Sequence, residues 1–177
     1  IRHEYGHGHM DSVYNNTHWP PGSGGSHWFT NHYTIGLGYT EGYATYYGNA
    51  TQGFEKWYDD NNPGNLIHFD CEANWDGNGT ANGNSDGLST GANQGYDTES
   101  AVLAMMIDVA DSQNAPTDPF DWMGGNANIW YDIMRNYKPG GHAPYTIQEV
   151  YDGWYSRGWG QKPQVNGQMH NHGMYQG

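Results

Sequence analysis

The order of residues in "IRHEYGHGHM" narrows the fold before any count is made. His3 and His7 stand four apart, and residues four apart on an α-helix lie one above the other on one face. As a helix, this stretch aims two imidazole nitrogens at one point. Glu4, one step round, does not easily share their plane, but it can reach a water bound at that point and take its proton. H-E-x-x-H therefore reads as a two-nitrogen metal chelate with a base beside it. Catalytic zinc generally takes three protein ligands plus water, so the fold must bring a third ligand to this helix from further along the chain. Only Ile1 and Arg2 precede the first ligand, and the natural protein is expected to begin upstream.

Two known solutions for the third ligand can be tested by spacing. The metzincin extension H-E-x-x-H-x-x-G-x-x-H requires glycine at position 10 and histidine at position 13, where this chain has Met10 and Val13. The other solution is a glutamate on a following helix, and "YTEGYATYYG" offers Glu41 followed by Gly42, Tyr43 and Ala44. That segment resembles the "NEGFA"-type segment of the M1 aminopeptidases and, more loosely, the glutamate helix of thermolysin-like peptidases. Asp11, four after His7, also matches the thermolysin-like pattern. Over roughly residues 1–50 the chain thus resembles the gluzincin zinc metallopeptidases. It departs from them in a longer separation between His7 and Glu41, which fits an insertion, "HWPPGSGGSHW", at the rim of a cleft.

Three later segments, "ESAVLAMMIDVADS", "IWYDIMRNYKPG" and "TIQEVYDGWYSRGWG", look like the helical C-terminal half of uncharacterised secreted microbial proteins that carry an H-E-x-x-H helix. The resemblance implies a mainly α fold, the helical part of a gluzincin catalytic domain. It implies zinc on His3, His7 and Glu41, and hydrolysis of a peptide or protein substrate with Glu4 as general base. Folds of that kind place a substrate-binding strand before the H-E-x-x-H helix, and this sequence does not contain it.

Other residues compete for roles. Glu99 opens a strongly apolar helix and is an alternative third ligand, although a first-turn carboxylate favoured by the helix dipole is the expected reading. Asp108 and Asp111 either orient a ligand histidine or face solvent. His9, His18, His27 and His32 are expected as surface or loop histidines, with a second metal or a cleft lining as the alternative. The terminal "MHNHGMYQG" reads as an ordinary tail with weak copper or nickel affinity as the alternative. Tyr96, His142 and Tyr145 are candidates, by residue type alone, for the donor to a developing oxyanion. In "NGNSDGLST", Asn82, Asn84, Asp86 and Gly87 resemble the start of an EF-hand-type calcium loop, but asparagine fills both the first place and the twelfth, Asn93. A polar loop without calcium is expected there.

Helices are expected over the opening stretch, ending near Asn15 and Asn16; from Thr34 or Thr40 to about Gly48 or Asn49; over "YDTESAVLAMMIDVADSQN", with Val102, Leu103, Met106 and Val109 or Ala110 on one buried stripe; and over "NANIWYDIMRNY". A further one starts at Thr146, whose capping box with Glu149 and staple of Tyr145 with Val150 fix its start, and stops at Gly158. Nothing past Gly160 predicts regular structure. Residues 59–96 read as one long polar loop within a single domain spanning 1–177, with at most short strands around "LIHF".

With 27 glycines the aliphatic core is modest, and 15 tyrosines and eight tryptophans must supply much of the burial. Six Lys and Arg against 19 Asp and Glu give a net charge of −13, which argues against a nucleic-acid partner or an anionic membrane surface. No apolar run is long enough to span a bilayer. The acidic, asparagine- and glycine-rich balance points to an extracellular protein, and the lone Cys71 leaves the compartment open. A function of another class, a carbohydrate-binding or surface-layer module, is motivated by the aromatic and asparagine content. A peptidase fold without activity is a third.

Overall fold

The computed structural model describes residues 2–29, 31–51, 56–60, 66–70, 95–110 and 127–174. The fold is mainly α. Six α-helices are present among the described residues: α1 (Arg2–Tyr14), α2 (Ile35–Ala50), α3 (Glu99–Ala110), α4 (Asn128–Asn136), α5 (Ile147–Ser156) and α6 (Lys162–Asn171). Two short antiparallel strands, β1 (Lys56–Asp60) and β2 (Leu66–Asp70), lie between α2 and α3, with Tyr58 opposite His68. They fall within or beside the stretch expected as one long loop. The calcium-like residues Asn82 to Asn93, and Cys71 and Asp111, lie outside the described residues.

Local signals explain the helix ends. α1 stops where Asn15 and Asn16 both adopt positive φ, 54° and 55°, a conformation that asparagine tolerates better than most residues. Thr34 caps α2, its hydroxyl accepting from the Leu37 amide at 3.2 Å. Thr40, the other candidate start, is interior, and its hydroxyl bonds back to the Gly36 carbonyl at 3.0 Å. The capping box at α5 forms with one change: Thr146 accepts from the Glu149 amide at 3.1 Å, while the Glu149 carboxylate accepts from the Tyr145 amide rather than from Thr146. Gly158 follows that helix with φ 78°, as an αL stop requires.

Two expectations need correction. α6 exists beyond Gly160, held by Val165 and Met169, four apart and both buried. Its asparagine, glycine and proline content hides a helix that tertiary packing stabilises. α3 does not bury one stripe: every residue from Glu99 to Val109 is buried, because the helix runs through the core rather than along its edge.

α2 packs against both α1 and α3. The α1–α2 approach is close enough to exclude a side chain at Gly6, where a Cβ would stand 2.5 Å from the Ala44 Cα and carbonyl oxygen. At Gly42 a Cβ would stand 2.7 Å from the Val102 side chain and 2.9 Å from the Glu99 carbonyl oxygen, which brings the first turn of α3 beside Glu41. The core is built as much from rings as from aliphatic groups. Tyr39, Tyr43, Tyr46, Trp130 and Trp154 are fully buried, and the Trp130 indole donates to the Met106 carbonyl at 3.0 Å.

Gly6→Ala is expected to force α1 away from α2 and to destabilise the protein by about 1–3 kcal/mol. Denaturant unfolding of the metal-free protein measures this, and an unchanged midpoint would contradict the contact.

Candidate metal centre

Three side chains from two helices converge. Residues 3 and 7 of α1 stack on the face turned to α2, and Glu41 projects from α2 towards them. His3 Nε2 lies 2.9 Å from Glu41 Oε2 and 2.9 Å from His7 Nε2, and His7 Nε2 lies 3.2 Å from the same Glu41 oxygen. Among the described residues, His3, His7 and Glu41 are the group whose ligand atoms all lie within 4.8 Å of one another. Two bonds of about 2.0–2.1 Å at a tetrahedral angle end roughly 3.4 Å apart, so these separations are near those required around one zinc-sized ion. The three residues singled out from the sequence are the three the helices bring together.

The donor chemistry fits a cation. His3 Nδ1 is 2.8 Å from Thr45 Oγ1, and the Thr45 hydroxyl donates to Glu99 Oε1 at 2.9 Å. A hydroxyl that gives its one proton to a carboxyl oxygen accepts from the imidazole, so His3 carries a proton on Nδ1, and its Nε2 turns a lone pair to a cation once it gives up the proton it donates to Glu41. Two imidazole nitrogens and a carboxylate oxygen this close need a positive charge among them. A proton on His7 supplies it. Burial works against the Glu41 carboxylate, but hydrogen bonds from His3 and His7, with the charges of His7 and His27, bring its pKa down to about 2. Burial likewise opposes the His7 imidazolium, yet the hydrogen bond and charge of Glu41, aided by Glu4 and Asp11, hold its pKa above 6.5.

Sequence reasoning expected His27 as a surface or loop histidine, with a cleft lining as the alternative; it is a loop histidine that reaches the converging groups. Its Nε2 lies 3.3 Å from Glu41 Oε2 and 3.4 Å from Glu99 Oε2. Main-chain pairing carries it there: Ser100 N donates to Phe29 O at 3.1 Å, Tyr33 N donates to Asp97 O at 3.0 Å, and His32 bridges Thr98. The segment after His27 is thereby tied to the start of α3, far away in sequence. Thr45 was missed, although it stands four after Glu41 on one helix face, a spacing that could have found it.

The remaining candidates fall elsewhere. Glu99 is no ligand of the three-residue set. Its carboxyl is buried, which pushes its pKa up to about 8 against the opposing Thr45 hydrogen bond, with the Glu41 charge adding to the rise. Glu4 is exposed on α1, near enough to His7 for its charge to favour the imidazolium. Asp11 accepts from the Trp19 indole at 2.9 Å, pinning the loop whose Trp19 ring lies beside His7. His9 stacks on Tyr43 and Tyr47, His18 is exposed, and His32 pairs with Asp97 at 2.9 Å. Asp108 neither orients a ligand nor faces solvent: it is buried against His172 of the terminal segment at 2.8 Å. Met169, His172 and Met174 of that segment are therefore part of the core and not of an ordinary tail. His142 and Tyr145 stack on each other, and Tyr145 also meets the Tyr14 ring.

No protein-family model, curated protein or solved structure matches the chain. The site has to be interpreted from its own chemistry.

Glu99 gives a pH signature. In the metal-free fold it keeps its proton to about pH 8, whereas in an unfolded chain it loses it near 4.5. The native state therefore binds more protons than the unfolded state between those values, and stability falls as pH rises across that window. Glu99→Gln should remove this slope. The denaturation midpoint of the variant in chelator, relative to that of the unmodified protein, is expected to climb from about pH 5 to about pH 8; a constant difference would count against a proton on Glu99.

Proposed function

We propose that this chain holds the catalytic centre of a zinc-dependent hydrolase of peptide bonds. The observation that carries the reading is the meeting of His3 Nε2, His7 Nε2 and Glu41 Oε2 within 3.2 Å, with His3 Nε2 turned inward by the contact of its Nδ1 with Thr45. Three ligands of this type, two nitrogens and one carboxylate oxygen, are the set that leaves a catalytic zinc with an open position. When bound there, zinc supplies an acidified water and polarises the carbonyl of the scissile bond.

The chain supplies the remaining chemistry. Glu4 accepts the proton of the attacking water and delivers it to the departing amine, a task that needs a carboxylate beside the ligands but free of them. Its exposed position on the same helix suits that role. Glu41 remains the anionic ligand, and its low pKa keeps it ionised. His27 borders the centre from the loop between the two ligand helices. The acidic, asparagine- and glycine-rich composition suits a protein working outside the cell.

Metal analysis and mutagenesis test the proposal together. The purified protein should bind one zinc, and Glu41→Ala or His7→Ala should abolish or greatly weaken binding. Glu4→Gln should keep the metal and lose about 10²–10⁴-fold in cleavage of an unfolded protein substrate. Cleavage that survives Glu4→Gln would remove Glu4 from the mechanism. A protein that takes up no zinc, or takes it up equally well without Glu41, would end the hydrolase reading.

A further inference from the structure

We propose that Thr45 and Glu99 form a hydrogen-bond relay that fixes the ligand tautomer of His3 and thereby sets the affinity of the site for its metal. The inference rests on the zinc reading above and concerns how the chain prepares one ligand.

Each link is short, and the direction of both follows from Glu99 Oε1 accepting from Thr45. His3 Nδ1 lies 2.8 Å from Thr45 Oγ1, and Thr45 Oγ1 donates to Glu99 Oε1 at 2.9 Å. Thr45 and Glu99 are 1% and 5% exposed, so water does not compete for these bonds. The hydroxyl has one proton. With Glu99 as its acceptor, Thr45 can only accept from His3, and the imidazole must keep its proton on Nδ1. Were the hydroxyl turned round to donate to His3, the imidazole proton would sit on Nε2, between Glu41 and His7, where a metal has to bind.

The behaviour of the other threonines of α2 sharpens the point. A threonine within a helix commonly returns its hydroxyl to the preceding turn. Thr40 does so, to Gly36 O at 3.0 Å, and Thr51 at the helix end donates to Tyr47 O at 2.8 Å. Thr45 spends its proton on a carboxyl group of another helix. The relay thus joins one residue from each of α1, α2 and α3, and its far end, Glu99, also lies 3.4 Å from His27. Groups that orient a metal-bound histidine typically change metal affinity 10–100-fold when removed.

The test compares zinc affinity, by competition with a chromophoric chelator, for the unmodified protein and three variants. Thr45→Val keeps the shape of the side chain and is expected to weaken binding about 10–100-fold. Thr45→Ser, which keeps the hydroxyl, should restore it. Glu99→Leu should weaken binding too, and the double variant should be no weaker than the worse single one, because the two residues act in series. Independent of any variant, the His3 Nδ1 proton of the zinc-loaded protein should appear by NMR in slow exchange with water.

Equal affinities for folded Thr45→Val and the unmodified protein, additive losses in the double variant, or a fast-exchanging Nδ1 proton would each overturn the relay while leaving the ligand set intact. Failure of the unmodified protein to bind zinc would instead remove the metal site, and the relay with it.

Discussion

The backbone contact between α1 and α2 at Gly6 and Ala44 is the constraint on which the centre depends. Gly6 lies between His3 and His7, and Ala44 lies one turn beyond Glu41, so the point of closest approach sits among the three converging side chains. With no side chain at Gly6, the distance between the helices is fixed by main-chain atoms, which do not change rotamer. The two imidazoles and the carboxylate then meet without any long side chain having to bridge a gap. A second approach, of Gly42 of α2 to α3, repeats the arrangement on the next helix and brings Glu99 within reach of Thr45.

Around that contact the chain places a small island of polarity in a core of rings and methionines. Such groups are costly to bury unless they satisfy one another. Here Glu41 is met by three imidazoles and Glu99 by a hydroxyl and an imidazole. The acidic members are the ones whose pKa values move most, in opposite directions: Glu41 is surrounded by donors, and Glu99 by burial and a neighbouring anion. One ionised and one neutral carboxyl group thus sit close together at neutral pH, each held in that state by its surroundings.

Much of this was legible in the sequence because it rests on short-range rules. The four-residue spacing of His3 and His7, the cap at Thr34, the capping residue Thr146 and the stop at Gly158 are local, and each appears where the rules put it. Glu41 was singled out through motif resemblance, and the structure places its carboxylate beside the two imidazoles. What escaped depends on distant contacts. His27 reaches the centre because residues near Phe29 pair with the start of α3, and no spacing rule links positions so far apart. α6 is held by packing rather than by propensity, and the burial of Asp108 becomes intelligible only once His172 is seen beside it.

α3 shows what such buried polar contacts can do. A cylinder that is greasy on every side has no reason to prefer one rotation about its long axis over another. Glu99 and Asp108 break that degeneracy. At about 100° per residue they point in roughly opposite directions, one at each end of the rod, towards Thr45 and His172 respectively. Turning the rod either way would strand both acids in hydrocarbon. The two carboxyl groups therefore act as a key in its keyway, and they contribute more to the uniqueness of the packed state than to its depth.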